Sequence, residues 1–235
     1  MGDTPLLSLK GLSAFYGDFQ ALFDIDLDIG GGQVAAMVGA NGAGKSTLMQ
    51  SLVGLVAVKA GSISLSGEDI TRVAAHHRVD LGIALVPEGR RLFVSLTVEE
   101  NLLIGARSGR PGPWNLGAIY GLFPMLAERR KAAITTLSGG QQQMVAIGRA
   151  LMSNPDLLLC DELSLGLAPI VVREIYSALR SIVRDGLSAI VVEQDIQQAT
   201  QIADRLYCMR QGRIVLGGAP HQFSRQDIAA SYFGV

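Results

Sequence analysis

The chain is predicted to be an α/β protein with a parallel sheet at its centre. Three observations predict this. Short apolar runs recur at Val34–Val38, at Ile83–Val86 and at residues 157–160, 189–192 and 206–209, each with the length of a buried strand. Segments of helical pattern separate the later runs, as parallel strands require. After the first run stands Gly39-Ala40-Asn41-Gly42-Ala43-Gly44-Lys45-Ser46, a full match to the phosphate-binding pattern GxxxxGK[ST] in strand–loop–helix order.

The elements follow in order. Leu6-Leu7-Ser8-Leu9 and residues 21–28 alternate as half-buried strands do; in the second, Asp24, Ile25, Asp26, Leu27 and Asp28 keep a strict period of two. Gly30-Gly31-Gly32 is a turn before the strand that feeds the glycine loop. Residues 45–55 read as a helix. Ser62-Ile63-Ser64-Leu65 alternates again, and Pro87 ends the apolar strand at Ile83–Val86. From Thr97 to Met152 the pattern is helical, broken by the loop signal Ser108-Gly109-Arg110-Pro111-Gly112-Pro113. The strands then return.

Composition narrows the function classes. The chain has 235 residues, 49% hydrophobic and 17% charged, enough to bury a sizeable core. Its mean hydropathy is +0.32. A buried parallel sheet accounts for that, with partner-facing apolar surface as the sharper alternative. A net charge of −1 and a pI near 6.3 argue against a nucleic-acid footprint. No apolar run is long enough for a membrane span. Met1-Gly2-Asp3-Thr4-Pro5 lacks the pattern of a secretory signal, and Leu6 stands where a myristoylation site needs Ser or Thr. Cys160 and Cys208 lack metal-ligand spacing, and His76, His77 and His221 read as solvated surface.

The candidate site starts at the glycine loop. Its glycines let backbone N–H groups turn inward on phosphate, and the helix behind adds its positive end. Gly39, Asn41, Gly42, Ala43, Gly44, Lys45, Ser46 and Thr47 are the expected contacts for a nucleoside triphosphate. Lys45 would reach the β- and γ-phosphates and the Ser46 hydroxyl would ligate Mg²⁺. Asp161 closes an apolar strand at its carboxyl end, where ligands bind in open α/β sheets. It is expected to hold Mg²⁺, and Glu162 after it to act on the attacking water as general base. A third motif, Leu137-Ser138-Gly139-Gly140-Gln141, precedes a helical run and so lies at a helix N-terminus. By average residue usage it would arise in such a chain roughly once in a few thousand cases.

In chain order (glycine loop, Leu137–Gln141, then Asp161-Glu162) these three motifs resemble the ATP-binding-cassette (ABC) ATPases, and the likeness covers nearly the whole chain. It implies a P-loop NTPase (RecA-like) core, residues 1–91 and 153–235, with an N-terminal antiparallel β subdomain and an inserted helical subdomain at 92–152. It also implies that Ser138, Gly139, Gly140 and Gln141 meet ATP held by a second ATPase subunit in a head-to-tail dimer. Tyr16, before a glycine, matches the aromatic that stacks on adenine.

Further segments are more specific: Val86-Pro87-Glu88-Gly89-Arg90-Arg91-Leu92-Phe93, Leu96-Thr97-Val98-Glu99-Glu100-Asn101-Leu102, Ser164-Leu165-Gly166-Leu167-Ala168-Pro169 and Val192-Glu193-Gln194. They resemble the smaller ATPase subunit of branched-chain amino-acid importers. The resemblance places Glu88 where a Gln usually touches Mg²⁺ and the water, and Gln194 where a His usually faces the γ-phosphate. Leu167 stands where many members have Asp. Leu163 stands where Pro is usual. It implies polytopic permease subunits as partners, a substrate-binding protein only indirectly, no nucleic acid, and a peripheral place on the cytoplasmic face of the cell membrane. A cytoplasmic permease helix is expected in a groove lined by residues 88–93 and the start of the helical block. Other readings stay open: an ATPase for urea or amide import, one for lipid or lipopolysaccharide extraction, or a soluble ABC ATPase without a permease.

Overall fold

The computed structural model describes residues 4–233. The reading of Met1, Gly2 and Asp3 therefore lies outside it. The elements in chain order are β1 (Leu7–Tyr16), β2 (Phe19–Ile29), β3 (Val34–Val38), α1 (Lys45–Leu52), β4 (Ala57–Leu65), β5 (Glu68–Asp69), α2 (Ala75–Arg78), β6 (Ile83–Val86), α3 (Val98–Gly105), α4 (Leu116–Leu122), α5 (Pro124–Glu128), α6 (Gly139–Leu151), β7 (Leu157–Asp161), α7 (Pro169–Arg184), β8 (Ser188–Glu193), α8 (Ile196–Ile202), β9 (Arg205–Arg210), β10 (Arg213–Gly218) and α9 (Arg225–Phe233).

Two sheets form. The first is antiparallel, in the order β2-β1-β4-β5. The second runs β10-β9-β3-β8-β7-β6, parallel from β9 to β6, with β10 antiparallel at the edge. The period of two sorts its side chains between layers. In β7, Leu158 and Cys160 face the helices α6 and α7, while Leu157 and Leu159 face α1 and the antiparallel sheet. In β8, Ala189 and Val191 take the first face and Ile190 and Val192 the second. Ala36, Val38, Leu206 and Cys208 cover a smaller cluster with α8 and α9. Every residue of β3, β7 and β8 is buried. This accounts for the high mean hydropathy, as the plainer of its two explanations expects.

Three local readings needed correction. The helix after the glycine loop ends at Leu52, not 55. Gly54 takes φ 76 there, and Leu55 N–H returns to the Gln50 carbonyl at 2.8 Å, a turn that caps the helix. Buried Arg78 completes the cap by donating to the Ser51 and Leu52 carbonyls at 2.8 and 2.7 Å. The helical stretch 97–152 is broken not only at 108–113 but again at 129–133, between α5 and a short 3-10 turn. β10, a half-buried edge strand, was missed.

Candidate functional site

The glycine loop lies between β3 and α1 and is shaped by close approach. A Cβ on Gly39 would stand 2.4 Å from the Met209 carbonyl oxygen of β9. Gly44 caps α1 at φ 105, a conformation that favours glycine. Lys45 lies folded back along the loop, its Nζ donating to the Gly39 and Ala40 carbonyls at 2.7 and 3.1 Å. Burial pushes its pKa down, and the carboxylates of Glu162 and Asp161 oppose this. The loop is braced by a segment that the sequence reading missed. Gly212, in the β9–β10 turn, donates to the Ala43 carbonyl at 2.9 Å, and Phe23 N–H donates to the Gly212 carbonyl at 2.9 Å. Gln211-Gly212 reads as a turn between apolar runs, but nothing in its pattern points at the glycine loop.

Asp161 ends β7 beneath the loop. Ser46 Oγ lies 3.4 Å from Asp161 Oδ1. Burial pushes the Asp161 carboxyl up; the Ser46 hydroxyl opposes this, and the charges of Glu162 and Glu88 add to it. Two hard oxygens this close suit Mg²⁺, which keeps most of its ligands as water and substrate phosphate. Among the described residues no group of three or more His, Cys, Asp and Glu forms a cage. His76 and His77 lie on the surface with ring centroids 4.1 Å apart and planes tilted by 46°, as expected of a solvated pair.

Glu162 follows at φ 52, a left-handed position for a residue with a side chain. Its N–H donates to the Val192 carbonyl of β8 at 3.1 Å. Just past β8, the Gln194 amide donates to both Glu162 carboxylate oxygens at 2.9 Å. Leu163 is buried in the core beside them.

These groups meet in one cleft of about 790 Å³. Tyr16, Asn41, Gly42, Gly44, Lys45, Ser46, Thr47, Glu88, Glu162 and Gln194 line it. Gly39, Ala43 and Asp161 form its buried backing. The Tyr16 ring stands at the mouth, 48% exposed, with its hydroxyl donating to Gln50 Oε1 at 3.1 Å. Phe19, Phe23 and Leu165 also line the cleft and were not singled out from the sequence.

Ser138, Gly139, Gly140 and Gln141 are not in this cleft. Ser138 is the N-cap of α6, with Gln141 closing the reciprocal capping box, so the motif forms the first turn of the helix rather than preceding it. A second groove, of about 380 Å³, is lined by Leu55, Leu85, Ile104, Arg107 and Arg149. Residues 88–93, expected along a groove for a permease helix, do not line this one. Phe93 stands beside it, its ring 5.7 Å from the Arg149 guanidinium. Arg149 also donates to the Arg90 and Arg91 carbonyls, and Asn101 holds the Phe93 backbone at N–H and carbonyl. Phe93 itself is 49% exposed, and Val94 and Leu103 are exposed as well.

Comparison with known proteins gives the family. The ABC transporter family matches residues 22–164. The chain is 44% identical over 213 residues to the high-affinity branched-chain amino acid transport ATP-binding protein BraG of Pseudomonas aeruginosa, covering 90% of this chain and 91% of that one. Among solved structures, a nucleotide-free ATP-binding cassette from an ABC transporter superposes with a TM-score of 0.83 at 25% identity, over 99% of this chain and 96% of that one. An ATP-binding subunit of an ABC transporter gives 0.82 at 26%, over 97% and 98%. The chain belongs to the ABC transporter family, as one of its ATP-hydrolysing cassettes.

Proposed function

We propose that this chain is the motor subunit of an importer for branched-chain or related amino acids. The observation that carries the motor reading is the single cleft. It gathers Lys45 and Ser46 from the glycine loop, the mouth aromatic Tyr16, and the Glu162–Gln194 pair from the ends of two other strands. The substrate class is supported by the 44% identity to BraG.

ATP would lie with its adenine on Tyr16 and its phosphates against the loop N–H groups and Lys45. Mg²⁺ would be held by Ser46, by Asp161 through water, and by Glu88, and would neutralise charge on the phosphate oxygens. Water attacks the γ-phosphorus, and Glu162 takes its proton. The new bond is P–O to water; the bond broken is that to the bridging β–γ oxygen, which leaves on ADP. Gln194 holds the Glu162 carboxylate and would also donate to the γ-phosphate. The N-terminal turn of α6, with its backbone donors, would complete the site of a second ATPase subunit. Exposed Phe93, Val94 and Leu103 beside the second groove are the surface for a cytoplasmic permease helix. Closure and reopening of the dimer would pass to the permease there. The chain would then sit on the cytoplasmic face of the membrane; among the described residues no helix is long and apolar enough to cross it.

The test is uptake. Reconstituted with its permeases, binding protein and partner ATPase, the chain should support ATP-dependent uptake of radiolabelled leucine, isoleucine or valine. Hydrolysis without uptake of any of them would remove the substrate class.

A further inference from the structure

One buried carboxylate beside the cleft has no part in the chemistry just described. Glu193, the last residue of β8, is 1% exposed and forms no ion pair among the described residues. Hydrogen-bond donors surround it instead. Ser164 donates its hydroxyl to Oε2 at 2.6 Å and its N–H to Oε1 at 3.3 Å. The Tyr176 hydroxyl, from α7, donates to Oε1. Burial pushes the Glu193 carboxyl up, and the Ser164 and Tyr176 donors oppose that.

Three consecutive residues at one strand end therefore grip the turn that follows Asp161. Val192 accepts the Glu162 N–H, Glu193 accepts both donors of Ser164, and Gln194 donates to the Glu162 carboxylate. Glu162 at φ 52 needs such over-determination, since a side chain in the left-handed region persists only where its surroundings fix it. A carboxylate suits this place because it offers only acceptors to three donors. An amide would turn its NH₂ towards one of them.

We propose that Glu193 is a positioning residue for hydrolysis. With Ser164 and Tyr176 it forms a buried clasp that fixes the turn carrying Glu162, and so sets where the base stands. The proposal rests on the reading of Glu162 as general base.

The test uses Ser164→Ala, Tyr176→Phe and Glu193→Gln in the full-length chain, each alone and combined with Glu162→Gln. Single-turnover and steady-state hydrolysis of MgATP are measured, with ATP affinity determined separately. Each single variant should lower kcat about 10- to 100-fold, the range for a reacting group displaced by an ångström. KM and ATP affinity should hold within about twofold, because no clasp residue lines the nucleotide cleft. In the Glu162→Gln background the same changes should cost nothing further. Tyr176→Phe removes one oxygen and keeps the ring, so it answers should Glu193→Gln fail to fold. Parental kcat in Ser164→Ala and Tyr176→Phe would overturn the clasp. So would a joint loss of kcat and ATP affinity, or an equal loss in both backgrounds. Parental turnover by Glu162→Gln alone is a different result: it overturns the base reading beneath.

Discussion

Gln194 offers the sharpest prediction from the cleft. Its neutral amide makes two 2.9 Å bonds to the Glu162 carboxylate. A hydrogen bond to a charged acceptor is worth about 1.5–3 kcal/mol net, and Gln194 lies at an exposed edge, which puts it at the lower end. At roughly 1.4 kcal/mol per decade, Gln194→Ala should slow turnover about 10-fold, and more if closure dries the site. ATP affinity should change little. Gln194→His adds a titration. An imidazole has an unperturbed pKa near ~6.5, and the neighbouring carboxylate favours the cation and raises it. The charged bond to Glu162 is then complete below about pH 6.5 and is lost as pH rises through the raised value. The His variant should retain activity and show a step between about pH 6 and 8 that the parent lacks. The assay is the pH–rate profile of the three proteins at saturating MgATP. Gln194→Ala as fast as the parent across that range would refute the placement of Gln194 beside the reacting groups.

Three further outcomes are expected. Lys45→Ala should remove binding at millimolar ATP, seen by equilibrium dialysis; unchanged affinity would displace the phosphate site. Arg78, 2% exposed, donates four bonds, to the carbonyls of Thr71, Val73, Ser51 and Leu52. The buried Ser51 and Leu52 carbonyls, left unpaired, cost roughly 1–3 kcal/mol each, so Arg78→Ala should lose about 2–6 kcal/mol and lower Tm by about 4 °C or more; a shift under about 2 °C in a thermal melt would contradict the cap. Phe93→Asp should uncouple transport in proteoliposomes and spare basal hydrolysis; loss of both together would mean that Phe93 supports the fold.

The central strands were legible because burial on both faces leaves an unmistakable apolar run, as in Val34–Val38. The glycine loop was legible because phosphate binding needs those residue types at that spacing. β10 was not, since Arg213–Gly218 is a half-exposed edge that ends in two glycines. The contacts across the site were also hidden. Ser164 and Glu193 stand 29 positions apart, and Gly212 meets Ala43 only because β9 pairs with β3. Such pairs come from sheet order, which no local pattern encodes. Nor does any local pattern show that the Phe93 ring packs by the Arg149 guanidinium with half its area exposed, its backbone held by Asn101.

On the proposed mechanism, this cleft hydrolyses ATP with Glu162 as the base. The direct measurement compares parent and Glu162→Gln at saturating MgATP, reading phosphate release and, by light scattering, molecular mass. Glu162→Gln keeps the shape and loses the base. Phosphate release should fall by about 10² to 10⁴ while ATP still binds, and the variant should accumulate as an ATP-bound dimer. A monomeric Glu162→Gln protein that hydrolyses at the parental rate would contradict both the base and the paired site.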